Sequence, residues 1–221
     1  MENKILTEKQ SLLIDHLPEE ILSAFYLTGG TALSAFYLEH RLSDDLDLFT
    51  ETEETMPPVE FLTALMKKLP DSEAIRYQRL FDRRIFAVVF KDGDTLKVEF
   101  TTYPFRSIEE RKKFGKLTID SLSNMITGKL FAITDRFDPK DFVDLYVAVH
   151  RYALKFDDLV MQTEQRFDIK GLNYVIPERL LMVKRMGPGD LPVMLSALNL
   201  NQLKTYFIEQ SAALVKSRAM L

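Results

Sequence analysis

Apolar and polar residues alternate with a period of two in several stretches of the first half of the chain, and with helical spacing through most of the second. Asp45-Leu46-Asp47-Leu48-Phe49 puts Leu46 and Leu48 on one face of a strand and both carboxylates on the other, and Leu96-Lys97-Val98-Glu99-Phe100 repeats the pattern with Glu99 opposite Val98 and Phe100. Together with the short apolar run Phe25-Tyr26-Leu27, the alternation predicts strands near 24–28, 45–50, 74–81, 84–91 and 95–102. Asp92-Gly93-Asp94 joins the last two as a strong hairpin turn. Helices are predicted near 7–16, 18–23, 31–40 and 59–69, the last introduced by Pro57 and Pro58. Beyond about residue 120 the spacing is helical, over 121–134, 139–152, 156–167, 177–185 and 199–217, with Gly187-Pro188-Gly189 parting the last two. The expected fold class is α/β (α+β), a small mixed sheet with flanking helices over residues 1–120 followed by a helical lobe over 121–221.

Composition narrows the picture. A chain of 221 residues with 46% hydrophobic content can bury a proper core, and no low-complexity tract or clear repeat interrupts it. No window approaches eighteen uninterrupted apolar residues, and the start, Met1-Glu2-Asn3-Lys4, has no secretory apolar core, so the expectation is a cytoplasmic protein with no membrane partner. The absence of cysteine excludes thiol catalysis and zinc–thiolate sites, and His16 and His150 lack metal-ligand spacing. A net charge of −4 argues against a surface coated with basic residues, but Arg76, Arg79, Arg83, Arg84 and Lys91 cluster around one predicted hairpin and Arg106, Arg111, Lys112, Lys113 and Lys116 follow it. Either cluster could face RNA; the ordinary reading of a charge run is a solvated face.

Candidate chemistry sits between the strands. In Gly29-Gly30-Thr31 a strand must break and a helix open, which brings unpaired N–H groups to a place where a phosphate fits. Asp45 and Asp47 share a strand face, and like charges so close call for a hard cation such as Mg2+ or Mn2+, with Glu99 as the third carboxylate from a neighbouring strand. Singly these are a turn and an exposed strand end; in this order they point to a metal–nucleotide site. Lys129 stands at the margin of the helical stripe Met125, Ile126, Leu130 and Ile133, either snorkelling or touching phosphate. Asp138-Pro139-Lys140-Asp141 reads as a helix start with Asp138 as N-cap and Asp141 in the capping-box place, and Asp144 lies one turn on, so an acidic face aimed at Lys129 is expected. Arg41 is expected to reach a phosphate or to pair with Glu39 or Asp44.

Gly29-Gly30-Thr31-Ala32-Leu33 followed by His40-Arg41-Leu42-Ser43-Asp44-Asp45-Leu46-Asp47-Leu48 resembles the signature of the AbiEii/AbiGii-type nucleotidyltransferases, a toxin family within the DNA polymerase β-like nucleotidyltransferase superfamily. Lys129-Leu130-Phe131-Ala132-Ile133 and Arg136-Phe137-Asp138-Pro139-Lys140-Asp141-Phe142-Val143-Asp144-Leu145-Tyr146 resemble that family's downstream block, so the motifs span residues 25 to 146. The resemblance implies a nucleotidyltransferase-type sheet, a nucleoside triphosphate (NTP) substrate, metal-assisted attack on its α-phosphate, release of pyrophosphate, an RNA acceptor such as tRNA, and a cognate antitoxin as partner. Carried over by position, Gly29, Gly30 and Thr31 fall on the phosphate-cradling turn, Asp45 and Asp47 on the metal ligands and Glu99 on the third acidic position, which is often aspartate in the superfamily. Arg41 and Lys129 fall among the phosphate contacts, and Lys129 and Asp141 are expected over the nucleotide in a cleft completed by the helical lobe. The alternatives are a non-catalytic nucleotide-binding or interaction protein on the same fold, and a transferase acting on a protein or a small molecule.

Overall fold

The computed structural model describes residues 5–218, so the predicted lack of a secretory segment at Met1–Lys4 lies outside the described residues. The chain divides into two compact units, one of Met1–Tyr37, Ser43–Phe105 and Glu110–Ser121, the other of Leu38–Leu42, Arg106–Glu109 and Leu122–Leu221. Among the described residues no helix is long and apolar enough to cross a membrane.

The first unit is built on a mixed sheet of β1 (Tyr26–Thr28), β2 (Asp45–Thr50), β3 (Ser72–Leu80), β4 (Arg83–Phe90), β5 (Thr95–Thr102), β6 (Lys112–Phe114) and β7 (Leu117–Ile119), in the order β3-β4-β5-β2-β1-β7-β6. β2 runs parallel to β5 and β1 parallel to β7, while the other neighbours are antiparallel. Strand alternation sorts the side chains. Leu27, Leu46, Leu48, Phe86, Val88, Val98 and Phe100 are buried on one face. Leu13, Ile21, Leu62 and Met66, from α1 (Glu8–His16), α2 (Glu19–Ala24) and α4 (Val59–Lys67), are buried with them. The opposite face is polar. Register places Thr28, Asp47, Glu99, Ile85 and Gln78 in one row across β1, β2, β5, β4 and β3, and Asp45, Lys97, Ala87 and Arg76 in the next.

Two elements of this unit differ from the expected pattern. The helix predicted over 31–40 is a short α-helix, α3 (Gly29–Leu33), that widens into a π-turn over Ser34–Leu38 and ends at Glu39 with φ +47°. Wider i→i+5 turns accommodate an extra residue, and the Tyr37 hydroxyl donates to the Asp120 carbonyl at 2.9 Å. The three-residue strands β6 and β7 were not predicted, because so short a run shows no alternation.

The second unit is helical, with α5 (Leu122–Asp135), α6 (Pro139–Arg151), α7 (Phe156–Phe167), α8 (Leu172–Leu180) and α9 (Leu200–Arg218). Phe142 meets Phe207 edge to face at 5.2 Å, and Phe131 stacks on Phe167 at 4.1 Å, so aromatic packing ties α6 to α9 and α5 to α7. α8 begins five residues before the predicted start at Pro177, because Gly171 in the left-handed region (φ +80°) opens it and Pro177 sits inside. The continuation to residue 185 is a 3-10 helix, Leu181–Arg185.

Candidate active site

The acidic pair lies where the polar sheet face meets the glycine turn. Gly29 has φ +73°, and a Cβ there would collide with Oδ2 of Asp47, so backbone conformation and close approach both demand glycine. Thr31 is buried and its hydroxyl donates to the backbone carbonyl of Asp45, clamping the start of β2 to the turn. The side chain of Thr31 is thus spent on the backbone, and Gly30 is buried.

Asp45 and Asp47 are half-exposed, and Lys97 donates to Asp45 Oδ2 at 2.8 Å. Burial works against the Lys97 charge, but its bond to Asp45 and the nearby carboxylates of Asp47 and Glu99 outweigh it and raise the ammonium above its usual range. Neighbouring strands stand about 4.8 Å apart, so Glu99, opposite Asp47 in register, shares the face. Its side chain is only 4% exposed. Arg83 grips it through Nε at 2.6 Å and Nη2 at 2.5 Å, and the Thr101 hydroxyl adds a bond at 2.7 Å. Burial favours the neutral acid, yet these donors outweigh it and hold the Glu99 carboxyl below the usual carboxylate range.

This donor set can be matched to a divalent cation. Mg2+ binds through one or two carboxylates together with substrate phosphates and water, and Asp45 and Asp47, both open to solvent, fit that demand. Glu99 is different, since both of its oxygens already accept hydrogen bonds. Among the described residues no group of three or more acidic or histidine side chains is gathered closely enough to hold an ion. The face therefore offers two partly exposed carboxylates and a third, buried one neutralised by arginine.

The remaining candidates form a separate buried network within the helical unit. Asp144 is its hub, fully buried on α6. Its Oδ1 accepts from His40 Nε2 at 2.7 Å and Arg41 Nε at 2.6 Å, and its Oδ2 from Arg41 Nη2 at 2.9 Å and Lys129 Nζ at 2.8 Å. Lys129 also reaches Asp141 Oδ1 at 2.8 Å, and Arg136 holds Asp141 Oδ2 at 2.9 Å. Asp138 also reaches Arg136, at 3.9 Å, so three permanent cations, Arg41, Lys129 and Arg136, are matched by three carboxylates. An ionised Asp144 makes His40 Nε2 the protonated nitrogen, which leaves Nδ1 buried with no hydrogen-bond partner among the described residues. Burial opposes every charge in the network, but the partners prevail: Lys129 is held well above its usual range and Asp144 well below.

Placement of the predicted residues follows from these two sets. Gly29, Gly30, Thr31, Asp45, Asp47 and Glu99 come together on the sheet unit, and Arg41, Lys129 and Asp141 on the helical unit. Lys129 is 13% exposed and doubly paired, so it does not snorkel. Arg41 pairs with neither Glu39 nor Asp44, because residues 40–42 run antiparallel to 193–195, with Arg41 bridged to Met194, and its side chain meets Asp144. Asp141 does not complete a capping box; Asp138 alone caps α6, through the Lys140 N–H at 3.0 Å, and Asp141 is drawn to Lys129 and Arg136.

Several functional neighbours went unassigned in the sequence. Lys97 lies two positions before Glu99 in the same alternation, a signal available without a structure. Arg83 and Thr101 become legible only once the β4–β5 register is known. Asp120 is buried at the end of β7 and accepts the Thr28 hydroxyl at 2.9 Å, which extends the polar row one strand beyond Thr28. No local pattern marks it.

A family profile described as nucleotidyl transferase AbiEii toxin, type IV TA system, matches residues 16–203. The fold is similar to JHP933 from Helicobacter pylori, with a TM-score of 0.58 and 20% identity over 96% of this chain and 94% of that one. It is also similar to a provisionally assigned nucleotidyltransferase from H. pylori, with a TM-score of 0.59 and 16% identity over 96% and 97% of the two chains. At such identities the likeness is one of fold. No curated protein matches the sequence.

Proposed function

The chain belongs to the AbiEii nucleotidyl transferase toxin family, and from that premise we propose that it moves a nucleotide from an NTP to an acceptor hydroxyl at the sheet face bearing Asp45 and Asp47. The observation that carries this reading is the pairing of those two partly exposed carboxylates with a turn so tight that Asp47 lies against Gly29. In the reaction the acceptor oxygen bonds to the α-phosphorus, the bond from that phosphorus to the bridging oxygen breaks, pyrophosphate leaves, and the hydroxyl proton passes to a carboxylate of the face or to water.

Mg2+ or Mn2+ held by Asp45 and Asp47 would supply positive charge to the triphosphate and favour ionisation of the acceptor hydroxyl. The protein's own part is positioning and electrostatics. Thr31 fixes the backbone of Asp45, Arg83 keeps Glu99 ionised without leaving a free negative charge, and Lys97 balances Asp45. On the helical unit, Arg41, Lys129 and Arg136 are paired with Asp144, Asp141 and Asp138, and their part is to hold that unit together. The biological setting that fits the family is that of a toxin checked by an antitoxin, acting in the cytoplasm on RNA such as tRNA.

Labelled NTPs incubated with the protein, Mg2+ and total cellular RNA test the reading. Transfer of label is expected, with loss of at least a hundredfold in Asp45→Ala or Asp47→Ala while the melting temperature stays close to that of the wild type. Full turnover in either variant would overturn the site. A thermal shift with the matching NTP plus Mg2+ is expected as well, of about 2.7 kcal/mol at a hundred times Kd.

A further inference from the structure

The polar sheet face does not end at the acidic pair. Beyond Lys97 and Glu99 it crosses Ala87 and Ile85 on β4, then reaches Arg76 and Gln78 on β3, the edge strand. Three strand steps of about 4.8 Å put Arg76 roughly 14 Å from Asp45 across the sheet. Arg76 is exposed and has no hydrogen-bond or ion-pair partner among the described residues. The two arginines that follow the hairpin turn differ, since Arg83 is committed to Glu99 and Arg84 to Glu53 and the Pro57 carbonyl.

At the tip of the same hairpin Phe81 is 85% exposed and held at φ +53°, a conformation that bulky side chains avoid. Arg79 donates Nε to the Phe81 carbonyl at 3.3 Å and is otherwise exposed, with no carboxylate partner among the described residues. An aromatic ring presented to solvent on the same hairpin as an uncommitted guanidinium group offers the contacts that hold an unstacked base and its phosphate. In a chain of net charge −4 the exposed Arg76 marks a local surface.

We propose that the β3–β4 edge is the docking surface for the acceptor, and that the acceptor is a single-stranded polynucleotide. A phosphate lies on Arg76, a base stacks on Phe81, and the strand runs over Ala87 and Ile85 of β4 toward Asp45 and Asp47. The fate of its terminal hydroxyl rests on the nucleotidyl-transfer reading above; its docking does not.

Binding of end-labelled single-stranded RNA, single-stranded DNA of the same sequence and the corresponding duplex, followed by fluorescence anisotropy against salt, tests the surface. Arg76→Glu is expected to weaken single-strand binding at least tenfold and to lower the salt slope by about one or more. Phe81→Ala is expected to weaken it about tenfold, and Lys216→Glu on α9 to leave it unchanged. Arg76→Gln, which removes charge at similar size, should fall between wild type and Arg76→Glu; melting temperatures confirm that all variants fold. The NTP thermal shift should be the same in Arg76→Glu as in the wild type, and in transfer assays the KM for polynucleotide should rise more than kcat falls.

Wild-type binding by Arg76→Glu and Phe81→Ala, or equal affinity for duplex, would overturn the surface. Preference for RNA over DNA or the reverse names the source of the strand. Strand binding with these variant effects but no transfer of label would refute the transfer reading and keep the surface. Transfer to a protein or small molecule without strand binding would do the opposite.

Discussion

Asp45 and Asp144 each accept a lysine at 2.8 Å, yet they live in different solvents. Asp45 is 44% exposed and its partner Lys97 40%, so water screens the pair and either group can be exchanged for another partner. Asp144 is fully buried, its two oxygens shared by a histidine, an arginine and a lysine, and neither the aspartate nor a cation can leave without stranding charge in a medium that does not solvate it. Similar chemistry thus makes an exchangeable site on the sheet and a permanent joint among the helices. Glu99 stands between them, buried like Asp144 but gripped by an arginine that is itself 39% exposed.

Asp144→Asn should break the comparison most sharply, with a loss of about 3–5 kcal/mol in denaturant unfolding, against less than about 1 kcal/mol for Asp45→Asn. Equal losses would erase the distinction. The same variant carries a pH signature. Asp144 has its carboxyl depressed in the folded state, so its contribution is present above the ordinary carboxylate value of about 4 and drains away as pH falls below it toward the folded value. A stability profile of Asp144→Asn should lack that part of the acid slope. Gly29→Ala comes next, at about 1–2 kcal/mol for the left-handed backbone, and because the new methyl displaces Asp47, transfer should fall in parallel with the melting temperature. Glu99→Gln should cost about 1–2 kcal/mol by leaving Arg83 half-satisfied. Lys97→Met should be the mildest, within about 1 kcal/mol; a larger loss in calorimetry would mean that the Asp45 pair is structural after all.

The sheet was readable where alternation runs long enough. Leu46 and Leu48 on β2, Val98 and Phe100 on β5, and the Asp92-Gly93-Asp94 hairpin all announce themselves locally, and the helical spacing after residue 120 does the same. Three-residue strands such as β7 carry too little pattern, and Pro177 looked like a helix start because proline favours that position. At the site, the shared face of Asp45 and Asp47 follows from a period of two, but partners do not. Arg83 and Glu99 meet through strand register, and Arg41 meets Asp144 across 103 positions of chain, so neither pairing leaves a trace in local spacing. Only the tertiary structure distinguishes an arginine left open, such as Arg76, from one already committed.

The division of the chain has a practical consequence. Because Leu38–Leu42 belong with the helical unit although they lie inside the sequence of the sheet unit, severing the polypeptide after Ser121 would carry His40 and Arg41 away with the wrong piece. The helical fragment would inherit Asp144 and Lys129 without their guanidinium companion, and the sheet fragment a pair of basic side chains with nothing to neutralise them. Neither half should then be recoverable by simple truncation, whereas mixing the two should restore a soluble complex.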